Sequence, residues 1–233
     1  MTGDTFDMSG LDEDRLRRML AAGEDIVECY RVLKKGGLNI VGEILKDQGT
    51  FYEWNHYPEG DTFDPDSHSQ YYYHNHREGE HGHFHVFLRQ PGMPKGTKSV
   101  VNNTDEDWPK GKDALSHLIA ISMDDYGFPI ALFTTNRWVT GETWYKAADV
   151  IPMIDRFEID HAMPSWPVNR WLTGMLALFQ PQITELIKKR DESVAAWRLT
   201  HAGTEAFEDR DLEVTSNLEI SVEDQIAAVK KAL

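Results

Sequence analysis

The sequence predicts an α+β domain: a mainly antiparallel sheet of about five strands, open or curled into a small barrel, packed against N- and C-terminal helices. Three observations predict it. Residues 70–89, QYYYHNHREGEHGHFHVFLR, alternate at the strand period on both sides of a glycine-containing turn. Residues 115–123 and 130–138 are two more strand-like runs, joined by the turn DDYGFP. Both ends of the chain instead repeat apolar residues at the helical period.

Residues 1–10 are acidic and read as a frayed tail. Residues 11–35 form a helix whose stripe is Leu16, Met19, Leu20, Ile26, Val27, Tyr30 and Leu33, stopped by Gly36 and Gly37. Cys29, the single cysteine, excludes an intramolecular disulfide and reads as a small buried hydrophobe. Residues 39–45 are short and apolar and fit strand or helix. Residues 50–56, TFYEWNH, read as a strand, and 58–69 as a loop rich in Pro, Gly, Asp and Ser. Asp64, Asp66 and His68 there read as a solvated turn. The long irregular stretch 90–113 follows the second histidine strand. Trp108 could anchor it as a lid.

In the strand 115–123, His117 shares a face with Ile119, Ile121 and Met123 under strict alternation. Asn136 and Arg137 close the returning strand and are candidates for substrate binding, with Trp108. Residues 147–157 read as a helix in which Pro152 suits only the first turn. Ser165 caps the next helix, striped by Val168, Trp171, Leu172, Met175, Leu176 and Phe179. Pro181 kinks it or begins another reaching about Trp197. Residues 11–200 thus form one domain. Residues 201–233 add an extension with a strand at 212–220 and a final helix capped by Ser221.

The hairpin carries the chemistry. It holds five of the ten histidines, at 74, 76, 81, 83 and 85. A two-residue loop at Glu78-Gly79, or a four-residue loop, sets His76 opposite His81, His74 opposite His83 and Tyr72 opposite His85. All five histidines then share one face with Tyr72 and Phe87, while Tyr71, Tyr73, Phe84, Val86 and Leu88 form the core face. Opposed side chains lie about 5 Å apart, close enough for imidazoles to share an ion. The preferred ligands are His74, His76 and His83, with Glu80 or His117 as a fourth. His85 and Tyr72 stand behind them, and Glu80, His85 and Tyr72 are the candidate catalytic groups. Imidazole suits a divalent transition metal: Fe, Zn, Cu or Ni. The expectation is a mononuclear metalloenzyme, hydrolase or oxygenase, acting on a small molecule. The net charge of −15 argues against nucleic acid and anionic membrane as partners, and no apolar run approaches a membrane span. The N-terminus lacks a signal-peptide pattern, which predicts a cytoplasmic protein.

Three resemblances accompany this reading. His74-Asn75-His76 followed by Glu80 resembles the first metal motif of the cupins over seven residues, with His68 and Phe87 where that motif has glycines. Pro94-Lys95-Gly96 is similar to the second motif, with Ser99 at its histidine position. The run from His81 to Leu88 resembles the histidine-triad motif, with Gly82 at an apolar position. That resemblance implies nucleotidyl hydrolysis or transfer, with His83 as nucleophile and His81 and His85 assisting. A third possibility is a non-catalytic, pH-sensitive ligand-binding face. Finally, GEHGHFHVFLR with the downstream HLIAISMDDYGFPIALFTTNRWVTGETW resembles an uncharacterised family of bacterial proteins over most of the chain. It implies a bacterial protein and no particular chemistry.

Overall fold

The computed structural model describes residues 6–233, so the first half of the expected tail lies outside the described residues. The helices are α1 (Glu13–Lys35), α2 (Ile40–Ile44), α3 (Arg137–Thr140), α4 (Ala147–Ile154), α5 (Trp166–Leu178), α6 (Gln180–Thr200) and α7 (Val222–Ala232). The strands are β1 (Tyr57–Phe63), β2 (Ser69–His74), β3 (Gly82–Arg89), β4 (Leu115–Met123), β5 (Pro129–Thr135) and β6 (Val214–Glu219). Among the described residues the six strands run in the order β1-β2-β3-β4-β5-β6, every neighbour antiparallel, and the sheet does not close. The fold is α+β with an open sheet rather than a barrel.

Helix starts follow local chemistry. The Asp12, Asn39 and Ser221 side chains accept N–H groups at the starts of α1, α2 and α7. Residues 39–45 are therefore helical. Met8 is buried in the core, so the described part of the tail is packed. Pro181 opens α6 as a separate helix, whereas Pro152 sits in the second half of α4 rather than in its first turn. Cys29 is buried, as its apolar neighbours suggest.

Two strand boundaries differ from expectation. Residues 50–56 are not a strand; β1 begins at Tyr57 and uses residues that read as a loop. An edge strand tolerates Pro58, and a register shift between Tyr57 and Thr62 takes up Gly60 and Asp61 at positive φ. At the other end, Asn136 caps α3 instead of closing a strand, so Arg137 and Trp138 are helical. Residues 201–233 supply β6, hydrogen-bonded to β5, and α7, which packs against α1.

One sheet face carries Tyr71, Tyr73, Phe84, Val86, Leu88, Ile119, Ile121 and Leu132 into the main core. There Phe84 meets Trp171 of α5 at 5.6 Å between ring centroids, and the Tyr71 hydroxyl bonds Asn169 Oδ1 at 2.6 Å. The opposite face carries the histidines. Gly82, at the start of β3, permits this pairing. A Cβ there would lie 2.5 Å from the His74 carbonyl oxygen and 2.6 Å from the Tyr73 hydroxyl. Gly82→Ala is expected to cost about 1–3 kcal/mol in urea unfolding; an unchanged midpoint would contradict the tight packing.

Candidate metal centre

β2 and β3 pair in the expected register, with His74 opposite His83 and Tyr72 opposite His85. Alternation then puts His74, His83, His85 and Tyr72 on one face. The connection is longer than a two-residue turn, since β2 ends at His74 and β3 begins at Gly82. His76 and His81 therefore lie outside the ladder, and the loop decides where they point. His76 turns toward the cluster, its ring centroid 4.7 Å from that of His74 and 5.0 Å from that of His83. His81 goes the other way. Its Nδ1 bonds the Tyr73 hydroxyl at 2.8 Å, and its ring stacks on Phe51. Five histidines on one hairpin face was the expectation; the hairpin places four there.

His117 arrives by a different route. Phe87 pairs with His117 and Val86 with Ile119, so Leu118 is the extra residue of a β-bulge. The bulge reverses the parity of β4. His117 joins the histidine face, while Ile119, Ile121 and Met123 stay in the core. Its Nε2 lies 3.0 Å from His85 Nδ1, and its backbone N–H donates to Glu142 Oε2 at 2.6 Å.

The imidazoles converge through their Nε2 atoms. His83 Nε2 is 2.7 Å from His74 Nε2 and 3.1 Å from His85 Nε2. One nitrogen from each of His74, His76, His83 and His85 can be chosen so that all lie within 4.8 Å of one another. His83 Nδ1 donates to Glu80 Oε1 at 2.5 Å, which leaves a lone pair on His83 Nε2. Two neighbouring nitrogens crowd that single lone pair, and His74 Nδ1 is buried with no partner. A proton can settle one of the two contacts; a cation settles both. Tetrahedral coordination at about 2.1 Å needs nitrogens about 3.4 Å apart, so small side-chain movements would suffice.

Electrostatics favour neutral rings. Burial, and next the nearby imidazole of His83, lowers the pKa of His74 to about 2. The same two causes lower His76 and take His85 well below the ordinary value. Burial and then Arg190 lower His117 to about 3. Burial lowers His83 against the opposing pull of Glu80. Burial pushes the Glu80 carboxyl up, but its bond to His83 and the remaining contacts bring it below the usual value. Glu142 is raised to about 7 by burial, opposed by Arg190 and by its bond from His117. Neutral imidazole is the form that binds metals.

Around this set, Tyr72 is buried with its ring centroid 5.1 Å from that of His74 and 5.2 Å from that of His85. Two aromatic neighbours escaped the sequence reading. His56 stacks on Tyr72 at 3.6 Å, and Trp54 stacks on His76 at 4.4 Å. Only the placing of 50–56 beside the hairpin could have signalled them.

The expected substrate-binding trio lies elsewhere. Trp108 is buried beside Phe207 and Trp144 and does anchor the 90–113 segment. Arg137 Nη2 donates to Glu208 Oε2 at 2.9 Å, and Asn136 Nδ2 donates to the Ala206 carbonyl at 2.7 Å. These groups join loops to one another. Hydrogen bonds tie the 90–113 segment to Trp144, Thr143 and Arg156.

Residues 20–220 match the model of a family described as a domain of unknown function (DUF6969). No curated protein and no solved structure matches the chain. Among the described residues, no helix is long and apolar enough to cross a membrane.

Proposed function

We propose that this chain, which belongs to the family described as a domain of unknown function (DUF6969), holds one divalent transition-metal ion on the imidazoles of His74, His76, His83 and His85. The observation that carries the reading is the crowding of His74 and His85 Nε2 on the lone pair of His83. All-imidazole ligation suits Zn, Cu, Ni or Fe. Glu80 holds the His83 proton on Nδ1, and His117 sets the orientation of His85. Such outer partners fix the tautomer and raise ligand basicity.

The finer reading is a metalloenzyme, hydrolytic or oxygen-using, that acts on a small molecule. When bound, the ion would supply Lewis acidity or an activated water through a fifth coordination position beside the four imidazoles. His76 is only half-buried whereas the other three are buried, so the coordination sphere opens on its side. Tyr72 and Glu80 border the set from within. The histidine-triad reading loses support because His81 stands on the opposite face from His83 and His85. The pH-sensitive binding face loses support because burial keeps these rings neutral near pH 6.

Metal analysis by plasma mass spectrometry, on tag-free protein purified without chelator or nickel, is expected to find about one equivalent per chain. The His74→Ala/His83→Ala double variant should lose it and keep its circular dichroism, while His81→Ala should keep its metal. Wild-type protein that is metal-free and cannot be loaded would overturn the reading. Glu80→Gln keeps the shape but loses the carboxylate charge, and should weaken metal binding about 10–100-fold in chelator competition. An unchanged affinity would remove Glu80 from its assigned role.

A further inference from the structure

His74, His83 and His85 are buried and His76 is half-buried, so the cluster lies nearest to solvent on the His76 side. On that side it carries the side chain of Trp54. The Trp54 ring lies on the His76 ring with centroids 4.4 Å apart and planes 15° from parallel. Yet Trp54 is 67% exposed, so it covers without being packed into the core. Its backbone has φ 70°, a left-handed conformation rare for a bulky residue and found where strain serves function. Residues 45–56 contain no helix or strand, and a single backbone bond, Trp54 N–H to the Asn75 carbonyl at 2.9 Å, ties the residue to the hairpin.

Beside this segment lies a cavity of about 570 Å³ lined by Asp47, Thr50, Tyr52, Asn55, His56 and Glu59 among others. His56 joins cavity to cluster: it stacks on Tyr72, meets His74 edge-on at 5.6 Å, and its Nδ1 lies 2.9 Å from Asp61 Oδ1. Asp47, Glu59 and Asp61 give this side carboxylates, in a chain of net charge −15. Fields of that sign concentrate cations at a cleft.

We propose that Trp54 is the movable cover of the metal centre and that the cavity beside it is the antechamber through which a hydrated divalent cation reaches the histidines. The inference rests on the metal-binding reading. The strained turn lets the ring swing off His76 while the ligands stay in place.

The test is stopped-flow mixing of metal-free full-length protein with Zn²⁺, and of loaded protein with excess chelator. Trp54→Ala should speed both uptake and release about 2–10-fold, the worth of one aromatic contact, and leave the equilibrium affinity within about 2-fold. Trp54→Gly, which also relieves the backbone, should do the same. Trp54→Phe should stay near the wild-type rates. Faster release with unchanged uptake would mean that Trp54 only positions His76, and unchanged rates in both directions would equally overturn the cover. Wild-type protein that binds no Zn²⁺ sinks the parent reading as well, and is told apart by stoichiometry alone.

Discussion

Stripping the ion is expected to lower the midpoint of thermal unfolding by about 5–10 °C relative to protein with free metal at about one hundred times its dissociation constant. A ligand that binds only the native state adds about 2.7 kcal/mol at that concentration. For a domain of this size each kcal/mol moves the midpoint by about 2–4 °C. The ligands come from both strands of the hairpin and from its loop, so the unfolded chain does not present the set preformed. The loss should be reversed by re-adding the ion and absent in the His74→Ala/His83→Ala variant. Differential scanning calorimetry checks it. Equal midpoints with and without metal would mean that the imidazoles do not hold an ion in the folded protein.

The metal-free protein should also be acid-labile. His74, His85 and His117 have native pKa values below the unfolded value near 6.5. Above pH 6.5 neither state binds the protons, and these groups contribute nothing. As the pH falls below 6.5 the unfolded chain takes up protons that the native state refuses, so stability is lost. For His74 and His117 together the loss is about 3 kcal/mol by pH 5.5 and about 5 kcal/mol by pH 4.5, and His85 adds to it in the same direction. Glu142 opposes it. Its native pKa is raised to about 7, so it gains stability as pH falls through 7, by about 3 kcal/mol in all, and saturates near the unfolded carboxyl value of about 4.5. Against a stability of roughly 5–15 kcal/mol, the balance puts acid unfolding of the metal-free protein below about pH 4.5. Metal should move the transition to lower pH, because protons and metal compete for the same lone pairs. Near-ultraviolet circular dichroism against pH checks both. Stability that stays flat from pH 7 to 4.5 without metal would contradict the burial of these rings.

The parts of the site that follow from local periodicity were readable in advance. In the hairpin, a strand period of two put His74, His83, His85 and Tyr72 on one face and Tyr71, Tyr73, Phe84 and Val86 on the other. The helices of both termini follow from their apolar stripes. What alternation cannot carry is parity across an irregularity. The bulge at Leu118 brought His117 onto the histidine face, although strict counting placed it with Ile119. The long loop after β2 sent His76 and His81 in opposite directions, although equal turns would keep them together. Asn136, Arg137 and Trp108 looked equally polar or prominent in the chain, and only packing assigned them to Ala206, Glu208 and Phe207.

By itself, then, the sequence determined the α+β class, the register of β2 on β3 and a histidine-bearing face, because backbone geometry repeats and hydrophobic burial chooses a side. The tertiary structure alone decided which nitrogens meet, which carboxylate sits behind His83 and which side chain covers His76. Those outcomes depend on a bulge, a loop and the irregular segment before β1, where residues distant in the chain settle each other's positions.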